Sequence, residues 1–238
     1  MRPITPKQIE SLATAQQYFH DCYILSSLGI LSRSKKGQKI LQNNITTNGK
    51  DFNIKFLNVN GKTEDYFISS KEIHDLKFRN SDGTLQEMHC PIVKSVELAM
   101  NKLIKNHPFK KPPIYRAMDT QQPFEYNKPS RFLELFTGQK PITLNESSLR
   151  MSLMSKLRDA GDLMIKIWDD KDSAFMLGTG VHFGKLPSWH CFDITKVDMP
   201  NNSFTVFDHR QNEELKFPIL SGLIKFKFLT GFLGKDLK

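Results

Sequence analysis

Apolar residues recur along this chain with two different periods, and the change of period separates the expected helices from the expected strands. From Ile92 to Lys105 the apolar positions Val93, Val96, Met100, Leu103 and Ile104 follow a helical stripe, with Pro91 at the first turn where its missing N–H costs nothing. A second amphipathic helix is expected over Ser147 to Ala160 through Leu149, Leu153, Met154 and Leu157, with Gly161 as its stop. Between Asp51 and Val59 the period drops to two through Phe52, Ile54 and Phe56. The chain turns at Asn60-Gly61 and continues into Tyr66-Phe67-Ile68, a hairpin signal. Further strands are expected at Leu163 to Trp168, Ala174 to Leu177, Trp189 to Val197, Ser203 to Asp208 and Leu220 to Phe228. Met199-Pro200-Asn201-Asn202 joins two of these as a hairpin. The polar, proline-bearing stretch Pro108 to Pro129 reads as a long loop, either a cleft wall or a connection. The pattern predicts an α+β chain with a soft boundary near Gly138 to Pro141, dividing a mainly helical part (1–138) from a strand-rich part (139–238).

Chemistry enters at Gln16-Gln17-Tyr18-Phe19-His20-Asp21-Cys22-Tyr23-Ile24-Leu25, where a cysteine sits at the change from a polar turn to an apolar helical run. The first turn of a helix stabilises a thiolate, because its unpaired N–H groups and the positive end of the macrodipole favour negative charge. Asp21 could cap that helix, Ser26 and Ser27 permit close packing, and Gln16 could reach back to donate to an oxyanion beside the sulfur. The competing reading makes Cys22 a small buried hydrophobe. What shifts the balance is a base and an orienting acid far along the chain. His190 shares a strand face with Phe192 and Ile194, and Asp208 shares one with Phe204 and Val206 on the expected partner strand. A thiol needs a neighbouring imidazole to take its proton and later protonate the leaving amine, with a third group to orient the ring. His182, among the glycines of Gly178 to Gly184, is a rival base, and His20 either tunes the thiolate or faces solvent.

On these residues the chain resembles the calpain-like, papain-fold cysteine proteases. Gln16, Asp21, Cys22 and Tyr23 match the family's Gln, five residues, Cys motif with Asp before the cysteine and an aromatic after it. Asp51 to Ser69 resembles the strand pair that follows, Cys90 to Leu103 the proline-led helix, and Phe132 to Gly138 the stretch at the lobe junction. The resemblance implies a two-lobe fold, with a helical N-terminal lobe, an antiparallel β C-terminal lobe and the site in the cleft between them. It implies a peptidase in which Cys22 attacks, His190 shuttles the proton, Asp208 orients it and Gln16 helps bind the oxyanion. Asp208 stands where the family usually has Asn, and His209 and Arg210 stand where it has Pro and Trp. A Cys-His-Asp set is shared with papain-fold deamidases, with transglutaminase-like enzymes acting on glutamine side chains and with deubiquitinase-like hydrolases, so these remain alternatives. The resemblance also raises calcium, and Asp169-Asp170-Lys171-Asp172 is carboxylate-rich; its spacing fits no EF-hand loop, and the competing reading is a solvated turn.

Composition narrows the partners. With 238 residues, 39% hydrophobic and 25% charged, the chain is an ordinary globular sequence of one or two domains at ~150 residues each. No run of ~18 apolar residues suggests a membrane span, and the N-terminus has no apolar core of a Sec signal. Three scattered cysteines suit a reducing compartment, and no CxxC or HxxxH spacing suggests a metal. The net charge of +9 is spread along the chain without a nucleic-acid motif, so steering of an acidic protein substrate is the favoured reading over nucleic acid. The expected location is cytoplasmic. A catalytic core without a Sec signal also fits a bacterial effector delivered into a host cell, its partner then a host protein.

Overall fold

The computed structural model describes residues 1–15, 22–58, 60–76, 78–79, 85–86, 90–107, 129–145, 153–179, 190–223, 226 and 228–237. The elements in chain order are β1 (Arg2–Pro3), α1 (Pro6–Leu12), α2 (Cys22–Arg33), α3 (Lys35–Asn44), β2 (Ile45–Thr47), β3 (Phe52–Leu57), β4 (Thr63–Ile68) and α4 (Ser70–Asp75). Two short strands, β5 (Phe78–Arg79) and β6 (Leu85–Gln86), precede α5 (Pro91–Asn106), α6 (Pro129–Thr137), β7 (Ile142–Asn145) and α7 (Leu153–Asp169). Then come β8 (Ala174–Gly178), β9 (Cys191–Asp198), β10 (Ser203–Asp208), β11 (Glu213–Pro218), α8 (Ile219–Leu223) and β12 (Phe228–Phe232). Among the described residues there is a four-stranded antiparallel sheet, β1-β2-β3-β4, and a six-stranded antiparallel one, β11-β10-β9-β8-β12-β7; β5 and β6 pair alone. The class is α+β.

Helix α2 is buried from Cys22 through Ser32, and it packs on α1, α3, α6, β8 and β9. A helix buried all round must be served by small residues wherever a strand comes close. Gly29 does this: a Cβ there would lie 2.1 Å from Asp193 Oδ2 on β9. Two apolar clusters flank the large sheet. One gathers α2, α5, α6 and the β3–β4 hairpin with Ala174, Met176, Cys191 and Phe232; the other gathers α7 and α8 with Phe175, Leu177, Phe192, Ile194 and Val206. Strands β8 and β9 are thus buried on both faces, and alternate side chains serve different clusters. The β9–β10 register shifts between Thr205 and Val206, so that Thr205 pairs with Lys196 and Val206 with Ile194. This bulge lets Val197, rather than Lys196, join Phe192 and Ile194 in the second cluster.

The expected hairpins at Asn60-Gly61 and at 199–202 are present, with Gly61 at φ 75° and Asn202 at φ 48° supplying the left-handed turn positions. Two strand expectations are corrected. Leu163 to Trp168 is not a strand but the end of α7, which runs through Gly161. In that helix Leu163, Met164 and Ile167 are buried while Ile165 and Trp168 are exposed, a helical rather than an alternating division. A glycine in a helix costs about 1 kcal/mol, and burying each of these side chains returns about 1.5–3 kcal/mol, so the helix continues. Leu220 to Phe228 is likewise not one strand: Ile219 and Leu223, one turn apart and both buried, belong to α8, and among the described residues β12 begins at Phe228. In the N-terminal part β1 and β2 extend the β3–β4 hairpin into a sheet. Strand β11 and helices α1, α3 and α6 had no counterpart among the expected elements. Among the described residues no helix is long and apolar enough to cross a membrane.

Candidate active site

Cys22 is the first residue of α2, and its helix is long enough to present a partial positive charge at that end. His190 lies just before β9. Its backbone N–H donates to Thr179 Oγ1 at 3.1 Å, and its carbonyl accepts from Thr179 N at 2.9 Å, extending the β8–β9 pairing by one residue. Asp208 ends β10, on the same strand face as the buried Phe204 and Val206. The hairpin therefore delivers the carboxylate to the imidazole: His190 Nε2 donates to Asp208 Oδ1 at 3.0 Å. The same oxygen accepts the Arg210 backbone N–H at 2.9 Å, which fixes its orientation. Phe192 meets the His190 ring edge-on with centroids 4.7 Å apart. With Nε2 committed to Asp208, Nδ1 is the nitrogen left for the thiol, and Cys22 is hydrogen-bonded to His190 and to Cys191.

The electrostatics follow from these contacts. The Cys191 thiol donates to Cys22, burial opposes ionisation, and the His190 hydrogen bond and charge add to the Cys191 effect; together they hold Cys22 well below the usual thiol range. Burial disfavours the His190 cation, but the Asp208 hydrogen bond and the Cys22 thiolate outweigh it and raise the imidazole to about 9. Burial likewise works against the Asp208 anion, yet His190 and the Arg210 N–H bring its carboxyl below the ordinary value. The downward shift of Cys22 and the upward shift of His190 both favour a thiolate beside an imidazolium, backed by a carboxylate. The Cys191 thiol moves the other way, well above its ordinary value, because it hydrogen-bonds the Cys22 sulfur, is buried, and faces the charges of Cys22 and Asp193.

A second histidine–carboxylate pair lies beneath α2. His209 Nε2 is 3.0 Å from Asp193 Oδ2, and His209 Nδ1 is 2.7 Å from the Ala15 carbonyl. The Ala15 carbonyl can only accept, so Nδ1 carries a proton, and the Asp193 contact favours a second proton on Nε2, drawing the ring toward the imidazolium. Burial opposes that charge, while the Asp193 charge and hydrogen bond and the Ala15 carbonyl raise the His209 value against it. Arg33 faces the same carboxylate, Nε to Oδ2 at 3.7 Å, and lies over the Phe207 ring. Its guanidinium also donates to the Ala13 carbonyl. The pair and Arg33 thus tie the backbone at Ala13 and Ala15 to the sheet.

Of the residues singled out from the sequence, Cys22, His190 and Asp208 are brought together; Gln16, Asp21, His20, His182 and Trp189 lie outside the described residues, as does 108–128 of the expected loop. The carboxylate-rich turn has another use: Asp172 accepts from the Lys35 and Lys36 N–H groups at the start of α3, and Asp170 accepts from Asp172 N and Gly234 N. These carboxylates cap backbone donors. Among the described residues no group of three or more His, Cys, Asp or Glu is arranged to hold a metal ion. The Cys22–Cys191 contact and the His209–Asp193 pair were not anticipated from the sequence, where Asp193 is a second candidate, after Asp208, to orient His190. Cys191 is adjacent to His190 in the chain, and His209 to Asp208, which was the available signal. Neither a protein-family model nor a curated protein matches the chain.

Proposed function

We propose that the chain is a calpain-type cysteine hydrolase of papain-like, two-lobe architecture that attacks a protein or peptide amide. The observation that carries this reading is the ordered set of three groups from three separate elements: a thiolate at a helix start, an imidazole hydrogen-bonded to it, and a carboxylate on the far nitrogen of that ring. The Cys22 thiolate adds to the amide carbonyl, and the oxyanion takes the Cys22 backbone N–H and the side-chain amide of Gln16 as donors. The His190 imidazolium gives its proton to the departing nitrogen as the C–N bond breaks, leaving an acyl-thioester on Cys22. Neutral His190 then takes a proton from water, the hydroxide adds to the thioester, and the thiolate leaves. Asp208 keeps the ring in one orientation and favours its cation through both halves.

The same groups would serve a deamidase or a transglutaminase, since the acyl-enzyme forms equally from a glutamine side chain with ammonia as the leaving group. Mass spectrometry of a protein mixture incubated with wild type and with Cys22→Ala separates them. New termini dependent on Cys22 are expected. Glutamine-to-glutamate conversion or isopeptide cross-links without new termini would replace hydrolysis by the alternative, and identical spectra from the two proteins across substrate mixtures and pH would remove the enzyme reading.

A further inference from the structure

Three cysteines are present in the chain, and two of them meet. Cys22 opens α2 and Cys191 opens β9; the helix packs on the strand, both side chains belong to the same apolar cluster, and the two thiols are hydrogen-bonded to each other. Cys90 is elsewhere, at the start of α5, bordering a cavity lined also by Phe52, Ile73 and Lys94. A reactive thiolate with a second thiol already in contact is the arrangement of an oxidisable pair. Cys191 makes and breaks no bond in the hydrolytic steps proposed above; its hydrogen bond favours the Cys22 thiolate and at the same time keeps a second sulfur beside it.

We propose that Cys191 is a resolving cysteine for Cys22, so that a peroxide converts the pair to a reversible disulfide that shuts off the site. The inference rests on Cys22 being the reactive thiolate. In the first step the Cys22 thiolate attacks hydrogen peroxide; an S–O bond forms, the O–O bond breaks, sulfur loses two electrons, and the departing hydroxide takes a proton to become water. In the second step the Cys191 sulfur attacks the Cys22 sulfenic acid. The S–S bond forms, the S–O bond breaks, and the proton lost by Cys191 leaves with the hydroxide as a second water. The sum is two thiols and one peroxide giving one disulfide and two waters.

The order of events has a physical cause. While Cys22 is a thiolate, Cys191 stays protonated, because its hydrogen is shared with that sulfur and an anion stands beside it. Oxidation of Cys22 removes the anion and the reason for the high Cys191 value together. The resolving thiol is thereby released to ionise only after it is needed, with the His190 imidazolium in position to protonate the departing hydroxide. A disulfide is reducible by thiols, whereas further oxidation of the sulfenic acid to sulfinic acid is not, so the neighbour protects the nucleophile.

The test uses the full chain without substrate. Native protein is treated with hydrogen peroxide, blocked with iodoacetamide, digested without reductant and analysed by mass spectrometry. A Cys22–Cys191 linked peptide about 2 Da below the sum of its thiol parts is expected, with Cys90 unlinked; dithiothreitol should restore most of the iodoacetamide-reactive Cys22. In Cys191→Ala and Cys191→Ser, each checked for folding by circular dichroism, Cys22 should accumulate as sulfinic acid and dithiothreitol should recover little of it. A Cys22–Cys90 link, or equal recovery in wild type and a folded Cys191 variant, overturns the proposal. Untreated protein separates this from the nucleophile reading: rapid alkylation of Cys22 with no disulfide after peroxide sinks only the resolving role, and a Cys22 inert to iodoacetamide sinks both.

Discussion

The β9–β10 hairpin carries two histidine–aspartate pairs with the same nitrogen-to-oxygen separation, 3.0 Å, and they differ in what stands at the second ring nitrogen. In the first, His190 spends one nitrogen on Asp208 and has the other for the Cys22 thiol. In the second, His209 spends one on Asp193 and the other on the Ala15 carbonyl. A carbonyl oxygen neither gives up nor accepts a proton near neutral pH, so the second ring has no partner to which it could pass one. Exposure follows the same division: Cys22 and His190 keep 7% and 6% of their surface, while Asp193 and His209 keep none. A histidine–carboxylate hydrogen bond is therefore no signature of catalysis by itself. The group at the second nitrogen decides whether the pair is chemistry or a brace.

The largest contrast is expected from removing that group. Cys22→Ala should lower amide turnover by at least about 10,000-fold, as loss of a nucleophile does elsewhere, and should leave the midpoint of urea unfolding little changed. Turnover that survives in Cys22→Ala would make the first pair as inert as the second. The converse variants act on stability. Asp193→Ala leaves the buried His209 without its carboxylate, and urea unfolding should show a loss of about 3–5 kcal/mol, with a smaller loss in His209→Ala, where Arg33 still faces Asp193. Iodoacetamide reactivity of Cys22 in the folded fraction should be unchanged, because the first pair is untouched. The sign of the pH dependence is also set. The folded His209 value is raised, so its contribution is complete below the unfolded value of about 6.5 and is lost as pH rises through the folded one. The stability gap between wild type and His209→Gln should accordingly narrow on the alkaline side.

A smaller effect is expected at the point where α2 meets the brace. A methyl at Gly29 would fall 2.1 Å from Asp193 Oδ2 and 2.9 Å from His209 Nε2, so helix and strand must move apart. Gly29→Ala should cost about 1–3 kcal/mol by overpacking, offset by the ~1 kcal/mol that alanine gains in a helix. A stabilising Gly29→Ala in urea would mean that the helix can retreat from the strand without disturbing the pair.

Much of the first pair was legible in the sequence, and almost none of the second. Cys22 stands at a polar-to-apolar helix start, and period-two alternation with a turn at 199–202 puts His190 and Asp208 on facing strands; all of that is local pattern. Asp193 and His209 meet through the β9–β10 register, in which Phe207 rather than His209 lies opposite Asp193, and through the approach of α2 at Gly29. Neither is written in local periodicity. Cys191 does not stand out for a related reason: alternation sets it on the opposite strand face from His190, but at the first residue of β9 the end of α2 reaches both. Gly161 was read as a stop because its neighbours' burial, which outweighs its helix cost, is a tertiary fact.

The finest test of the comparison is to neutralise the carboxylate of the first pair without removing its acceptor. Asp208→Asn keeps an oxygen for the His190 Nε2 proton, so the ring stays oriented and turnover should survive, whereas Asp208→Ala should lose most of it. What changes in the Asn variant is charge. In wild type, burial pulls the His190 value down and the Asp208 hydrogen bond and Cys22 lift it to about 9, so the thiolate–imidazolium state should persist until pH rises through that value. Removing one negative neighbour should bring the alkaline limb of activity down by about 1–2 units. The limb should be read in kcat/KM and, without substrate, in the pH dependence of Cys22 alkylation, since loss of the adjacent cation makes the thiolate more nucleophilic and less protected. An alkaline limb at the same pH in Asp208→Asn as in wild type would show that the carboxylate only orients the ring, as the Ala15 carbonyl does for His209, and the two pairs would then differ by their thiol alone.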